Sequence, residues 1–297
     1  MWDVVNSIID GAYDLHIHAG PDIVPRQNDI LEVVQEANSC GMRGLGFKDH
    51  NTTTADRVSI LKSIMDIQTN LIGGIVLNYA VGGLNPEAVE KSLRLGAKII
   101  WMPSMDSKMT VYKVHITNET PWLLPHVKIT DPKDGLSVLE NWPDGKKLLP
   151  EVVDILHLIK KYDAILDTCH LSAHESKILI DEAINLNIEK IIVTHPNCSV
   201  NYMTLDEQKE LAKKKVLFSY AFLPCMPMFD RQHPKEIVSM MKSVGYDRCI
   251  LFSDFGQPMN PSPVEGYKMF VASLLASGVS ENDVKKAACI NPKQLFN

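Results

Sequence analysis

Short apolar runs of strand length recur eight times along this 297-residue chain, and the stretches between them mostly carry helical periodicity. The runs occupy residues 13–18, 44–50, 72–78, 98–103, 164–170, 190–195, 216–222 and 248–254. Helical patterns follow several of them, at 29–39, 86–95, 172–186 and 205–214. Parallel neighbours in a sheet need a crossover long enough to hold a helix, so this alternation predicts a parallel sheet of βα units. Eight units in a chain of about this length predict an α/β fold of the (β/α)8 TIM-barrel class rather than an open doubly wound sheet. No GxGxxG or GxxxxGK[ST] phosphate loop follows the first run, which weakens the nucleotide-binding open-sheet alternative. The expectation is one barrel domain over residues 1–297.

The longest stretch without helical pattern, about 104–148, follows the fourth run. Its segments 126–130 and 136–139 flank Asp131, Pro132, Lys133, Asp134 and Gly135, which reads as a hairpin with a turn. On a barrel this insertion covers the site. It serves either as a lid or binding element, or as a contact in a homo-oligomer.

A formal net charge of −6 gives neither nucleic acid nor an anionic membrane an electrostatic reason to bind, so a small-molecule substrate is the expected partner. The first residues carry no basic region and no long apolar run, and a cytoplasmic location is expected. The six cysteines, Cys40, Cys169, Cys198, Cys225, Cys249 and Cys289, are scattered without a CxxC pair, so reduced thiols are expected.

The chemistry lies where the runs end. In the first, a side-chain period of two places Asp14, His16 and His18 on one face, with Leu15 and Ile17 on the other. Two imidazoles at the end of a strand can chelate one cation, and Asp14, deeper, can orient them as an acceptor. The fifth run ends in His170, the sixth in His195 and the eighth in Asp254. In a parallel barrel all strand C-termini meet on one rim. His16, His18, His170, His195 and Asp254 therefore form a nitrogen and carboxylate set for a divalent metal, zinc first, with manganese, iron or nickel as alternatives and one or two ions per chain.

This order of ligands, HxH on the first strand and then His, His and Asp, resembles the amidohydrolase superfamily of metal-dependent hydrolases. The tail Asn291, Pro292, Lys293, Gln294, Leu295, Phe296 is similar to an ending common there. The stretches HAGPD (18–22), GGIVLN (73–78), VGGLNPEAVE (81–90), LGAKIIWMPS (95–104) and SDFGQP (253–258) look like an uncharacterised amidohydrolase-related family of unknown function. One departure stands out. Many binuclear members of the superfamily carry a carboxylated lysine at the end of strand four, whereas this chain has Ile99, Ile100, Trp101, Met102 and Pro103 there.

Strand two instead offers Lys48 and His50 on one face. Lys48 is open to three roles: a carboxylated ligand, an anchor for a substrate anion, or a buried ammonium paired with Asp14. His50 is a ligand or substrate contact, or else caps the following loop. The stretch GFKDHNTTT (46–54) also resembles the second motif of the polymerase and histidinol phosphatase superfamily, but that family's glutamate on strand three and late Asp-x-His are missing.

The resemblance implies cleavage of a C–N or C–O bond in a small anionic or cyclic amide or ester, by a metal-activated water with Asp254 as general base. Lys48 and His50 are the other catalytic candidates. Substrate contacts are expected from the loops, with Asp22, Arg26, Lys48, His50, Asn78, His115, His174 and Asn197 as candidates. Met226, Met228 and Phe229 read as an apolar wall of the site or as ordinary packing. The alternatives are a phosphoesterase, a metal-dependent decarboxylase of the same superfamily, and a metal-free barrel acting as a binding scaffold.

Overall fold

The computed structural model describes residues 1–296. Its strands are β1 (Tyr13–Ile17), β2 (Gly44–Phe47), β3 (Asn70–Ile72), β4 (Gly74–Val76), β5 (Ile99–Trp101), β6 (Ile165–Asp167), β7 (Ile191–Thr194), β8 (Leu217–Ala221) and β9 (Cys249–Phe252). They form two parallel ladders, in the orders β1-β2-β3 and β4-β5-β6-β7-β8-β9. The run expected at 72–78 is thus divided between β3 and β4, with only Gly73 between them. Gly73 lies so close to the start of helix α3 (Ala55–Ile64) that a Cβ there would fall 2.7 Å from Ala55 Cα, and its carbonyl takes the Lys98 amide at 2.8 Å. Both ladders are therefore parts of one wall of eight staves.

The wall is joined where it matters for function. At the far ends of β1 and β9, Asp254 N donates to His16 O at 3.1 Å and His18 N to Phe255 O at 2.8 Å. Below them the Asp14 carboxylate accepts Ser253 N at 3.2 Å. These bonds bring the two ends of the chain's strand series side by side. The pattern of strands buried on both faces follows from the helices outside and the packed interior within. One continuous core runs through all of it, with Trp101, Phe218, Tyr220 and Phe252 among its largest members.

The helices start where short polar side chains can cap them. α2 (Ile30–Ser39) is entered through Asp29, which accepts Glu32 N at 2.9 Å while Glu32 takes Asp29 N at 2.9 Å. Ser172 with Glu175 does the same for α7 (Ala173–Asn185), and Thr204 with Glu207 for α8 (Leu205–Ala212). Each such cap stabilises its helix by about 1 kcal/mol. Among the described residues no helix is long and apolar enough to cross a membrane.

The insertion differs from expectation. Residues 131–135 do turn, through a single 3-10 turn at Pro132–Asp134 capped by Asp131, but they join no hairpin. The reason is competition for the backbone of Leu136. Its carbonyl takes Lys108 N and its amide goes to Asp106 O, both at 2.7 Å, so 136 pairs in parallel with 107. The antiparallel contact of the insertion lies further on, between Leu139 and Leu148, with Glu140 N on Lys147 O at 3.0 Å. Val111, Val114, Leu123 and Val127 form a small second core with Cys198 and Val200, which fastens the insertion to the loop after β7.

Candidate metal centre

Alternation along β1 points His16 and His18 the same way, and both Nε2 atoms converge on one oxygen. Asp254 Oδ1 lies 3.3 Å from His16 Nε2 and 3.2 Å from His18 Nε2. Potential ligand atoms of these three buried residues all lie within 4.8 Å of one another. The His195 ring centre is 5.7 Å from that of His16 and 5.1 Å from that of His170. The structure thus gathers all five expected ligands into one cluster, and the tightest trio within it is His16, His18 and Asp254.

The outer two histidines are fixed in tautomer by partners that leave no choice. Asn201 Nδ2 donates to Cys169 O and Thr194 O, each at 2.8 Å, so its Oδ1 is the atom that meets His195 Nδ1 at 2.8 Å. Thr110 Oγ1 donates to Ser104 O at 2.8 Å, so it receives from His170 Nδ1 at 3.0 Å. Each ring therefore carries its proton on Nδ1 and keeps a free lone pair on Nε2. Neither Thr110 nor Asn201 belongs to a motif or a periodic pattern, and sequence reading passes over both.

Burial keeps the imidazoles neutral. It is the largest influence on His16, His50 and His170, and Lys48 and neighbouring histidines add to it, holding all three well below the ordinary range. His18 and His195 are lowered as well, again by burial first. Burial pushes the Asp254 carboxyl the other way, but the hydrogen bond from His18 and the charge of Lys48 outweigh it and hold Asp254 below the usual carboxylate range. Neutral imidazoles that converge through Nε2 on an ionised carboxylate are a donor set for a divalent cation, so the residues fit one.

The backbone here is strained in a way the rest of the wall is not. Cys169, His195 and Asp254, at the ends of three strands, have φ of 48°, 25° and 58°. Left-handed conformation at non-glycine residues costs on the order of 1–3 kcal/mol each and persists where surrounding structure fixes it. Gly256 shows why the segment after β9 needs glycine: at φ 144° a Cβ would sit 1.9 Å from His18 O.

Lys48 reaches the cluster, but not by the ion pair suggested for it. Its Nζ lies 3.1 Å from His16 Nε2 and 3.2 Å from Cys169 Sγ. Asp14 is occupied by the amides of Ser253 and His16, and burial raises its carboxyl to about 7. Pairing of Lys48 with Asp14 is therefore corrected: the backbone of β9 reaches that carboxylate first. His50 stacks on His18, ring centres 4.8 Å apart, and its Nδ1 meets Ser104 Oγ at 2.8 Å. Asn78 Nδ2 also donates to Ser104 Oγ at 2.8 Å, tying the ends of β2, β4 and β5 at this point.

Above the cluster opens a cavity of about 1140 Å³. Its floor is made by His18, Lys48, His50, His170, His195 and Asp254. Asn78 and Arg26 line it too, although the Arg26 guanidinium is held by Asp22 Oδ2 at 2.6 and 2.8 Å. The other candidates have structural partners and are absent from the lining. Asp22 serves Arg26. Asn197 is bound to Ala221 O at 3.0 Å and Gln232 at 2.9 Å, His115 faces Val127 O at 3.4 Å, and His174 bolts α7 to Gly145 O of the insertion at 2.8 Å. Met228 and Phe229 line the cavity, whereas Met226 is buried in the main core. Sequence reading missed Trp122, His126, Lys128 and Arg231, all of which reach the cavity from loops.

The chain matches the family of unknown function DUF6282 over residues 11–219. No curated protein matches it. Among solved structures it is similar to an amidohydrolase from Pseudomonas aeruginosa, with 12% identity, 99% of this chain and 97% of that one covered, and a TM-score of 0.63. A dihydroorotase from Campylobacter jejuni gives 13% identity, 96% and 83% coverage and a TM-score of 0.55. A dihydroxybenzoic acid decarboxylase from a Polaromonas species, solved with bound manganese and the inhibitor 2-nitroresorcinol, gives 12% identity, 97% of each chain and a TM-score of 0.54. At these identities the likeness establishes the fold alone, a TIM barrel.

Proposed function

The chain belongs to DUF6282, a family of unknown function, and from that starting point we propose that it is a metal-dependent hydrolase acting on a C–N or C–O bond of an anionic amide or ester. The observation that carries the reading is the convergence of His16 Nε2 and His18 Nε2 on Asp254 Oδ1 at the floor of a deep cavity. His16, His18, His170, His195 and Asp254 would hold the ion, with zinc or manganese suited to this donor set. When bound, a divalent cation supplies an acidified water and polarisation of the substrate carbonyl.

The chain's own residues do the rest. Asp254 takes a proton from the attacking water and returns it to the leaving nitrogen or oxygen. Thr110 and Asn201 hold His170 and His195 with their Nε2 atoms unprotonated. His50, clamped between His18 and Ser104, and Lys48 stand at the cavity side of the cluster, where they orient the polar end of a substrate.

Decarboxylation is the second reading, favoured by the likeness of fold to the manganese-bound decarboxylase. Protein loaded with zinc or manganese and assayed against an amide, a lactone, an aryl carboxylate and a phosphoester separates the possibilities. Amide or lactone turnover abolished by chelator is the expected result. Carbon dioxide release alone selects the second reading, and phosphoester turnover alone overturns both.

A further inference from the structure

The cavity has two ends of different chemistry, and the difference identifies what fills it. Small amides need little of about 1140 Å³, which exceeds the roughly 300–1,000 Å³ that houses a drug-sized ligand. Its middle is apolar: Trp122 and Leu123 from the insertion face the same space as Leu223, Met228 and Phe229 from the loop after β8. Phe229 meets Trp122 edge-on at 5.0 Å, and Trp122 Nε1 is pinned by Asp230 at 2.8 Å, so this wall is preformed. The apolar lining continues to the mouth, where Ile23, Met228 and Met259 are 78%, 65% and 60% exposed. A contiguous apolar surface leading into a cavity marks a binding surface.

The mouth is also cationic, in a chain whose net charge is −6. Arg26, Lys128 and Arg231 line the outer cavity, and exposed His126 lies within the electrostatic reach of Arg26 and Lys128. Among the described lining residues the carboxylates are Asp254, in the cluster, and Asp106, whose Oδ2 already takes Tyr79 N at 2.8 Å. Arg26 is neutralised by Asp22, whereas Lys128 and Arg231 have no ion-pair partner among the described residues and give the rim its positive charge.

We propose that the cavity binds an extended amphipathic acid: a hydrolysable group at the floor, an apolar chain or ring against Trp122, Leu223, Met228 and Phe229, and a carboxylate or phosphate at the rim beside Lys128. This rests on the floor being the reacting end, as in the reading above, but its binding energy comes from the opposite end. The insertion is therefore the specificity element.

The test titrates the full chain, calorimetrically and both metal-free and metal-loaded, with the monoamides of succinic, pimelic and sebacic acid and with the methyl ester of sebacic monoamide. Sebacic monoamide is expected to bind at least about tenfold more tightly than succinic monoamide, since each buried methylene contributes severalfold. The ester is expected to bind a fewfold more weakly than the acid in wild type and equally in Lys128→Ala. Met228→Ser, at an exposed position that carries no folding risk, is expected to flatten the dependence on length. Equal affinity across the three acids, or an ester that matches the acid in wild type, overturns the proposal. Tight, length-dependent binding without hydrolysis by the metal-loaded protein keeps this proposal and removes the hydrolase reading. Hydrolysis without dependence on length does the reverse.

Discussion

The floor and the roof of the cavity are built by different rules. The floor comes from strand ends, whose positions are set by the sheet ladder and whose side chains alternate with a period of two. The roof comes from the insertion and the loop after β8, held by individual contacts such as Trp122 with Asp230 and Ser199 with Asp230. A ladder fixes many residues at once, whereas a loop is fixed contact by contact. The floor should therefore tolerate no change in its reacting groups, and the roof should absorb change at modest cost.

The largest expected effect tests the floor itself. Asp254→Asn keeps size and much of the ligand set but loses the base, so turnover is expected to fall on the order of 10²–10⁴-fold with the ion retained. Steady-state kinetics with metal analysis on the same sample checks this, and near-wild-type turnover would remove Asp254 from the chemistry. Next come the two residues that hold the outer histidines of the floor. Asn201→Ala and Thr110→Val release the far nitrogens of His195 and His170, and metal affinity is expected to drop about 10–100-fold in each. Competition with a chromophoric chelator reads this directly, and Thr110→Ser is expected to restore it by returning the hydroxyl.

A smaller effect is expected where the roof alone is touched. Trp122→Phe keeps the aromatic contact with Phe229 and loses the hydrogen bond to Asp230, at a cost of about 1 kcal/mol. Hydrogen exchange should quicken in the insertion while metal affinity stays unchanged. A loss of metal affinity in Trp122→Phe would show that the two regions are not separable. The smallest change is expected at a distant helix cap: Asp29→Ala should lower stability by about 1 kcal/mol or less and leave both metal and ligand binding untouched.

The same contrast explains what could be read from the chain. The strand runs, the helix starts at 29, 172 and 205, and the gathering of His16, His18, His170, His195 and Asp254 follow from period and the single rim of a parallel barrel. Thr110 reaches His170 across sixty positions of chain, through a segment with no repeating pattern, and nothing local marks it. The hairpin at 131–135 failed for a related reason: its turn residues were sound, but the backbone of Leu136 found a better partner at 106–108. His174 and Asn197 sit beside ligand-bearing strands yet are spent on structural bonds to Gly145 and Ala221, which residue type alone does not disclose. Split of the third run at Gly73 likewise depends on Ala55, a contact made only in three dimensions.

Elemental analysis of the full chain, purified without chelator, alongside a His16→Ala and His18→Ala double variant, tests the central claim most directly. The account predicts about one or two divalent ions per wild-type chain and near-complete loss in the folded double variant. A wild-type chain that takes up no divalent ion when one is supplied in excess, or a double variant that binds as much as wild type, would contradict it.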